Sequence, residues 1–130
     1  MINKILVVDD EPDFCEALGD FLGAKGYSVL EAHDGDQALE VYRQERPDVV
    51  LLDIRMPGKD GLETLRELRA FDPEAKVIMI TAVPEEELDE QSTAEVEDGT
   101  LDYITKPFDP HSLERTLSIL KRMELLSGDE

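Results

Sequence analysis

Four short apolar runs in this chain each lead into a residue able to do chemistry, and this pattern constrains the fold more than any other feature. Ile5–Val8 stops at Asp9-Asp10, Val49–Leu52 stops at Asp53, and Val77–Ile80 stops at Thr81. Leu101–Ile104 is followed, one residue later, by Lys106-Pro107. The first three runs are continuously apolar rather than alternating, as in strands buried on both faces of a parallel sheet. Tyr27–Leu30 reads as a further strand, which makes five.

Amphipathic stretches separate the strands. Pro12 suits a first helical turn, Phe14, Ala17, Leu18, Phe21 and Leu22 repeat at helical spacing, and Gly26 is a natural stop. Ala38, Leu39 and Tyr42 mark a second helix that must end before Pro47. Leu62, Leu65 and Leu68 mark a third that closes near Asp72-Pro73, and Leu113, Leu117, Leu120 and Met123 mark the last. Between them, residues 84–98 carry only Leu88, Ala94 and Val96 as clear apolar positions, while eight of the fourteen residues from Glu85 to Asp98 are acidic. The expectation there is a marginal, mobile fourth helix with a solvated face. Five strands alternating with five helices give an α/β fold, a doubly wound five-stranded parallel sheet covered on both faces.

Length and charge narrow the function. At 130 residues the chain is one domain's worth, expected at residues 1–126 with a disordered tail at 127–130. Thirteen basic against 32 acidic residues leave a formal charge of −19, which argues against gripping nucleic acid or an anionic membrane. A single cysteine leaves no disulfide framework and no cysteine-built zinc site. No apolar run is long enough to span a membrane or serve as a signal peptide, so the expected location is cytoplasmic.

In open α/β sheets, ligands bind outside the carboxyl ends of the strands. Asp9, Asp10, Asp53, Thr81 and Lys106 would therefore converge on one edge. Carboxylates about 4 Å apart repel by about 4 kcal/mol per pair at an effective dielectric near 20, and one lysine cannot neutralise three. A divalent cation can, and hard oxygen donors with room for water suit Mg²⁺. An ammonium and a hydroxyl beside it suit a tetrahedral oxyanion such as a phosphoryl group, with one carboxylate as nucleophile forming an acyl phosphate. Taken singly, the same residues have plainer readings: Asp9-Asp10 as a helix cap, Asp53 as a turn former, Tyr103 as a packing residue.

At this point the chain resembles a known family, the response-regulator receiver domains of two-component signalling, and is similar to the stand-alone chemotaxis regulators. The resemblance rests on Ile5-Leu6-Val7-Val8-Asp9-Asp10-Glu11-Pro12, on Leu52-Asp53-Ile54-Arg55-Met56-Pro57-Gly58-Lys59-Asp60-Gly61, on Val77-Ile78-Met79-Ile80-Thr81-Ala82, and on Asp102-Tyr103-Ile104-Thr105-Lys106-Pro107-Phe108, in that order. It implies a flavodoxin-like strand order 2-1-3-4-5. It also implies that Asp53 is the phosphoacceptor for a sensor histidine kinase or histidine phosphotransfer protein. Asp10, with Asp9 through water, Asp53 and the backbone carbonyl of Arg55 would hold Mg²⁺. Lys106 would pair with the phosphoryl oxygens, Thr81 would move to them, and Tyr103 would change rotamer with Thr81. Lys106-Pro107 would be a cis peptide, and a homodimer or output partner would meet the fourth helix, fifth strand and fifth helix. Such a domain modifies itself and slowly reverses the modification, and is not otherwise an enzyme.

The chain departs from the pattern in its acidic segment and in the 25 positions between Thr81 and Lys106, about three more than usual. Arg55 and Val83 offer no carboxylate or amide to orient a hydrolytic water, so the expected phosphoryl lifetime is not among the shortest. The rivals are a silent interaction module and a Mg²⁺-dependent phosphohydrolase, although the latter class spaces its carboxylates as Asp-x-Asp. A flavin site is weaker still, because the first loop is acidic. Cys15 reads as an inert neighbour of the first helix's apolar face. His33 and His111, far apart in polar contexts, suggest no metal pair, and Gly61 and Gly99 read as backbone-geometry residues.

Overall fold

A computed structural model of the chain describes residues 2–56, 58–81, 102–105 and 110–127. In chain order these form β1 (Lys4–Val8), α1 (Pro12–Ala24), β2 (Ser28–Ala32), α2 (Gly35–Glu45), β3 (Val49–Asp53), α3 (Gly61–Phe71), β4 (Val77–Thr81), β5 (Asp102–Thr105) and α4 (Pro110–Ser127). The strands make one sheet in the order β2-β1-β3-β4-β5, parallel throughout. The doubly wound fold and its strand order are as the sequence leads one to expect. The predicted acidic helix within residues 84–98 lies outside the described residues, so α4 here is the last helix of the sequence reading.

The unbroken apolar runs follow from the two-residue period of a strand. Leu6, Val8, Val50, Leu52, Val77 and Met79 point to one face and pack with Ala38, Leu39 and Tyr42 of α2 and Leu65 and Leu68 of α3. Ile5, Val7, Val49, Leu51, Ile78 and Ile80 point to the other and pack with Cys15, Leu18 and Leu22 of α1 and Ile119 and Leu120 of α4. Each of these residues of β1, β3 and β4 therefore meets a core, whichever way it points. At roughly 1.5–3 kcal/mol per fully buried aliphatic side chain, these two layers are the main source of stability.

Local chemistry sets the helix ends. The Asp34 carboxylate accepts the Gln37 N–H at 2.7 Å, and that of Asp60 accepts the Glu63 N–H at 2.9 Å, capping α2 and α3. After α2, Arg46 takes a left-handed φ of 49° while its N–H donates to the Tyr42 carbonyl at 2.9 Å. Pro47 then prevents any continuation, so the predicted stop is where it was placed.

Several strand bounds differ from the sequence reading. Tyr27 is not in β2, because its N–H donates to the Leu22 carbonyl at 3.2 Å and so belongs to the closure of α1. β2 instead runs on through Glu31 and Ala32, which pair with Val7 and Val8 of β1. β3 includes Asp53 itself, in register with Ile80 of β4. Asp53 is thus the last residue of a buried strand rather than the first of a loop.

Candidate functional site

Parallel strands with helical crossovers put all their carboxyl ends on one edge. β1 delivers Asp9 and Asp10 there, and β3 delivers Asp53. A carboxylate oxygen from each lies within 4.8 Å of those of the other two. Asp9 is 0% exposed and Asp53 only 5%, whereas Asp10 reaches solvent. The cluster therefore has a buried floor and one open side.

Short-range hydrogen bonds orient the two buried acids. Asp9 Oδ1 accepts the Glu11 N–H at 2.9 Å, just where α1 begins, and the Asp9 N–H donates to the Ala32 carbonyl at 3.1 Å. Asp53 Oδ1 accepts the Arg55 N–H at 3.2 Å, and the Ile54 N–H donates to the Ile80 carbonyl at 2.9 Å. The chain thus leaves each strand by a turn around the carboxylate it has just delivered.

The loop from Ile54 to Asp60 is anchored at both ends. Gly61 begins α3 so close to β3 that a Cβ there would run into the Asp53 carbonyl and Ile54 Cα, and its N–H donates to the Ile54 carbonyl at 2.8 Å. Only a residue without a side chain fits. Within the loop, Lys59 Nζ reaches Asp36 Oδ1 at 2.8 Å and Glu67 Oε2 at 2.6 Å, tying the loop to α2 and α3. The hydrogen bond to Asp36 and that to Glu67 hold its ammonium above the ordinary lysine range.

Charged carboxylates this close repel one another: at about 4 Å each pair costs about 4 kcal/mol at an effective dielectric near 20, which a cation between them would offset. The donors are hard oxygens, two are held in place, and the open side leaves room for water. This set fits a small hard divalent cation better than a thiophilic one.

Of the predicted site residues, the structure brings Asp9, Asp10 and Asp53 together and places Arg55 two residues beyond Asp53, with its N–H on that carboxylate. Thr81 is the last residue of β4, one position past the partner of Asp53, and pairs with Thr105 of β5. Tyr103 lies in β5 opposite Met79. The side chains of Thr81 and Tyr103 lie outside the described residues, as do Val83, Lys106 and the Lys106-Pro107 peptide. Two features escaped the sequence reading. One is the Lys59 clamp, whose acids sit 23 positions before it and 8 after it. The other is a group of Cys15, Glu31 and His33 at the α1–β2 edge. Only the packing of α1 on β2 brings that group together.

Among the described residues, no helix is long and apolar enough to cross a membrane.

Comparison with known proteins agrees with this geometry. The family described as response regulator receiver domain matches residues 5–118. The chain is 39% identical over 128 residues to the probable transcriptional regulator ycf27 of Porphyridium aerugineum, covering 98% of this chain and 52% of that protein. It thus spans about half the length of that curated relative. Among solved structures it is similar to the chemotaxis protein CheY4 of Vibrio cholerae, at 29% identity and a TM-score of 0.79, covering 91% of this chain and 98% of that one. It is also similar to the CheX–CheY–BeF3–Mg²⁺ complex of Borrelia burgdorferi, at 30% identity and a TM-score of 0.81, covering 93% of this chain and 88% of that one.

Proposed function

The chain belongs to the response regulator receiver domain family of two-component signalling, and from that premise we propose that it is a phosphorylation switch in which Asp53 is the acceptor. The observation that carries this reading is the convergence of Asp9, Asp10 and Asp53 at the carboxyl edge of the sheet. Asp53 has the nucleophile's position, fixed at a strand end with one oxygen held by the Arg55 N–H.

In the proposed reaction an Asp53 oxygen attacks the phosphorus of a phosphohistidine on a sensor kinase or phosphotransfer protein. The N–P bond breaks, the imidazole leaves with the bonding pair and takes up a proton, and Asp53 becomes an acyl phosphate. Asp9 and Asp10, with Asp53 and the Arg55 carbonyl, would hold Mg²⁺, which when bound offsets the charge of the acids and the phosphoryl oxygens. The description of the Borrelia burgdorferi relative as a complex with BeF3 and Mg²⁺ supports that choice of ion. Lys106 would pair with the phosphoryl group, Thr81 would hydrogen-bond it, and Tyr103 would follow Thr81. The change would leave through the acidic segment, β5 and α4 to an output partner or a second copy. The two states need differ by only a few kcal/mol for phosphorylation to shift their populations.

On this reading residues 1–126 are the receiver unit and 127–130 a tail, the location is cytoplasmic, and no turnover of small substrates is expected beyond slow loss of the protein's own phosphoryl group. Arg55 and Val83 offer no group to orient a hydrolytic water, so that loss should not be among the fastest. The test is incorporation of phosphoryl from acetyl phosphate, followed by intact mass. A single Mg²⁺-dependent addition, abolished in Asp53→Asn and by chelation, is expected. No addition to the folded wild type would sink the switch and leave a silent module. Many turnovers of a phosphate ester per chain would make the protein a phosphohydrolase.

A further inference from the structure

Cys15, Glu31 and His33 form a second group of ligand-type side chains, and one ligating atom from each lies within 4.8 Å of the other two. The packing of α1 on β2 creates it. Val29 and Glu31 occupy alternate positions of β2, so they share the face that α1 covers, and His33 follows at the same two-residue spacing. Gly19 stands one helical turn after Cys15. A Cβ there would sit 3.4 Å from Val29 Cγ1 and 3.9 Å from Glu31 Oε2, so the small residue lets the Glu31 side chain lie along the helix.

The three groups are held by three separate elements. Cys15 is fully buried on α1, and its thiol donates to the Asp9 carbonyl at 3.5 Å. Glu31 is fixed by its pairing with Val7. The backbone N–H of His33 donates to Gln37 Oε1 at 2.6 Å, which fastens the residue to the start of α2. His33 Nε2 lies 3.3 Å from Glu31 Oε1, and their side chains are 41% and 38% exposed. Sulfur thus forms a floor, with nitrogen and oxygen at a solvent-facing rim.

We propose that Cys15, Glu31 and His33 form a three-ligand site for a thiophilic divalent cation of the Zn²⁺ class, separate from the acidic cluster. One sulfur, one imidazole nitrogen and one carboxylate oxygen make a borderline-soft donor set, which suits Zn²⁺ or Co²⁺ and not Mg²⁺. The fourth position faces solvent and would take water. On binding, the thiol proton passes to solvent and the Asp9 carbonyl loses that donor. The two sites therefore share the backbone of Asp9 while differing in donor chemistry, and this site does not depend on the phosphoacceptor reading.

The probe is Co²⁺, titrated into the full chain with Mg²⁺ in large excess to occupy hard-oxygen sites. Because the chain has one cysteine, a thiolate-to-cobalt charge-transfer band can arise only from Cys15. A band that saturates at one Co²⁺ per chain is expected. It should vanish in Cys15→Ser, and the affinity should fall at least about tenfold in His33→Ala and in Glu31→Gln. Far-UV circular dichroism of each variant establishes that it is folded, and competition by Zn²⁺ should erase the band in the wild type. No band in the folded wild type would overturn the proposal, as would a band whose affinity either rim variant leaves unchanged.

Discussion

The two edges of this sheet differ in how closely they crowd their acidic residues. At the amino edge, carboxylates are matched with structural donors. Asp48 Oδ2 accepts the N–H groups of Asn3 and Lys4, both at 2.9 Å, and so stitches β1 to the start of β3. Asp72, at the end of α3, accepts the Tyr42 hydroxyl at 2.7 Å and the Glu74 N–H at 3.0 Å, joining α2 to α3. At the carboxyl edge, three carboxylates converge within 4.8 Å of one another. Both edges use acids to hold elements together, but among the described residues the carboxyl edge also concentrates three of them where a cation and a phosphoryl group would sit.

Substitutions can sharpen that contrast. The largest expected effect on stability is at the carboxyl edge: Gly61→Ala would push a methyl group into the Asp53 carbonyl and should cost about 1–3 kcal/mol, the usual range for overpacking, as read by chemical denaturation. Because the displaced atoms belong to Asp53 and Ile54, phosphoryl incorporation should fall as well. Wild-type incorporation in a destabilised variant would show that the loop's anchorage serves stability only.

At the amino edge, Asp48→Ala removes two charge-assisted hydrogen bonds at an exposed site and should cost about 1 kcal/mol. Its phosphoryl incorporation should match the wild type. A loss of incorporation with no loss of stability would break the division between the edges.

A smaller effect concerns pH. The Tyr42 hydroxyl, helped by the Glu74 N–H, holds the Asp72 carboxyl below its ordinary value of 3.8. A group depressed in the folded state contributes stability above its unfolded pKa and loses it as the pH falls through the folded one. Melting temperature measured downward from neutral pH should therefore fall less steeply below about pH 4 in Tyr42→Phe than in the wild type. The same hydroxyl is itself raised, chiefly by burial and then by its bond to Asp72. It therefore stays protonated in the folded state at pH values where the unfolded chain begins to ionise, and the wild type should lose more stability above about pH 10 than the variant does.

The fold was readable because the two-residue strand period met two apolar layers, which left Ile5–Val8, Val49–Leu52 and Val77–Ile80 unmistakable. β2 was harder, since an edge strand carrying Glu31 needs its ladder with β1 to be recognised. The convergence of Asp9, Asp10 and Asp53 was legible because parallel topology sends every strand end to one edge. Topology alone does not fix which neighbours a side chain meets across helices, so the Lys59 clamp and the nearness of Cys15 to His33 were not legible. Both depend on how α1, α2 and α3 settle on the sheet.

The central claim is that the carboxyl edge carries crowded charge for the sake of a divalent cation, and it is tested most directly by unfolding the wild type and Asp10→Asn with and without Mg²⁺. Without the ion, removing one charge should raise stability by on the order of 1 kcal/mol. With Mg²⁺ at about 100 times its dissociation constant, the wild type should gain about 2.7 kcal/mol and overtake a variant that gains far less. An Asp10→Asn protein that is less stable than the wild type without Mg²⁺, or that gains as much from the ion, would contradict the account.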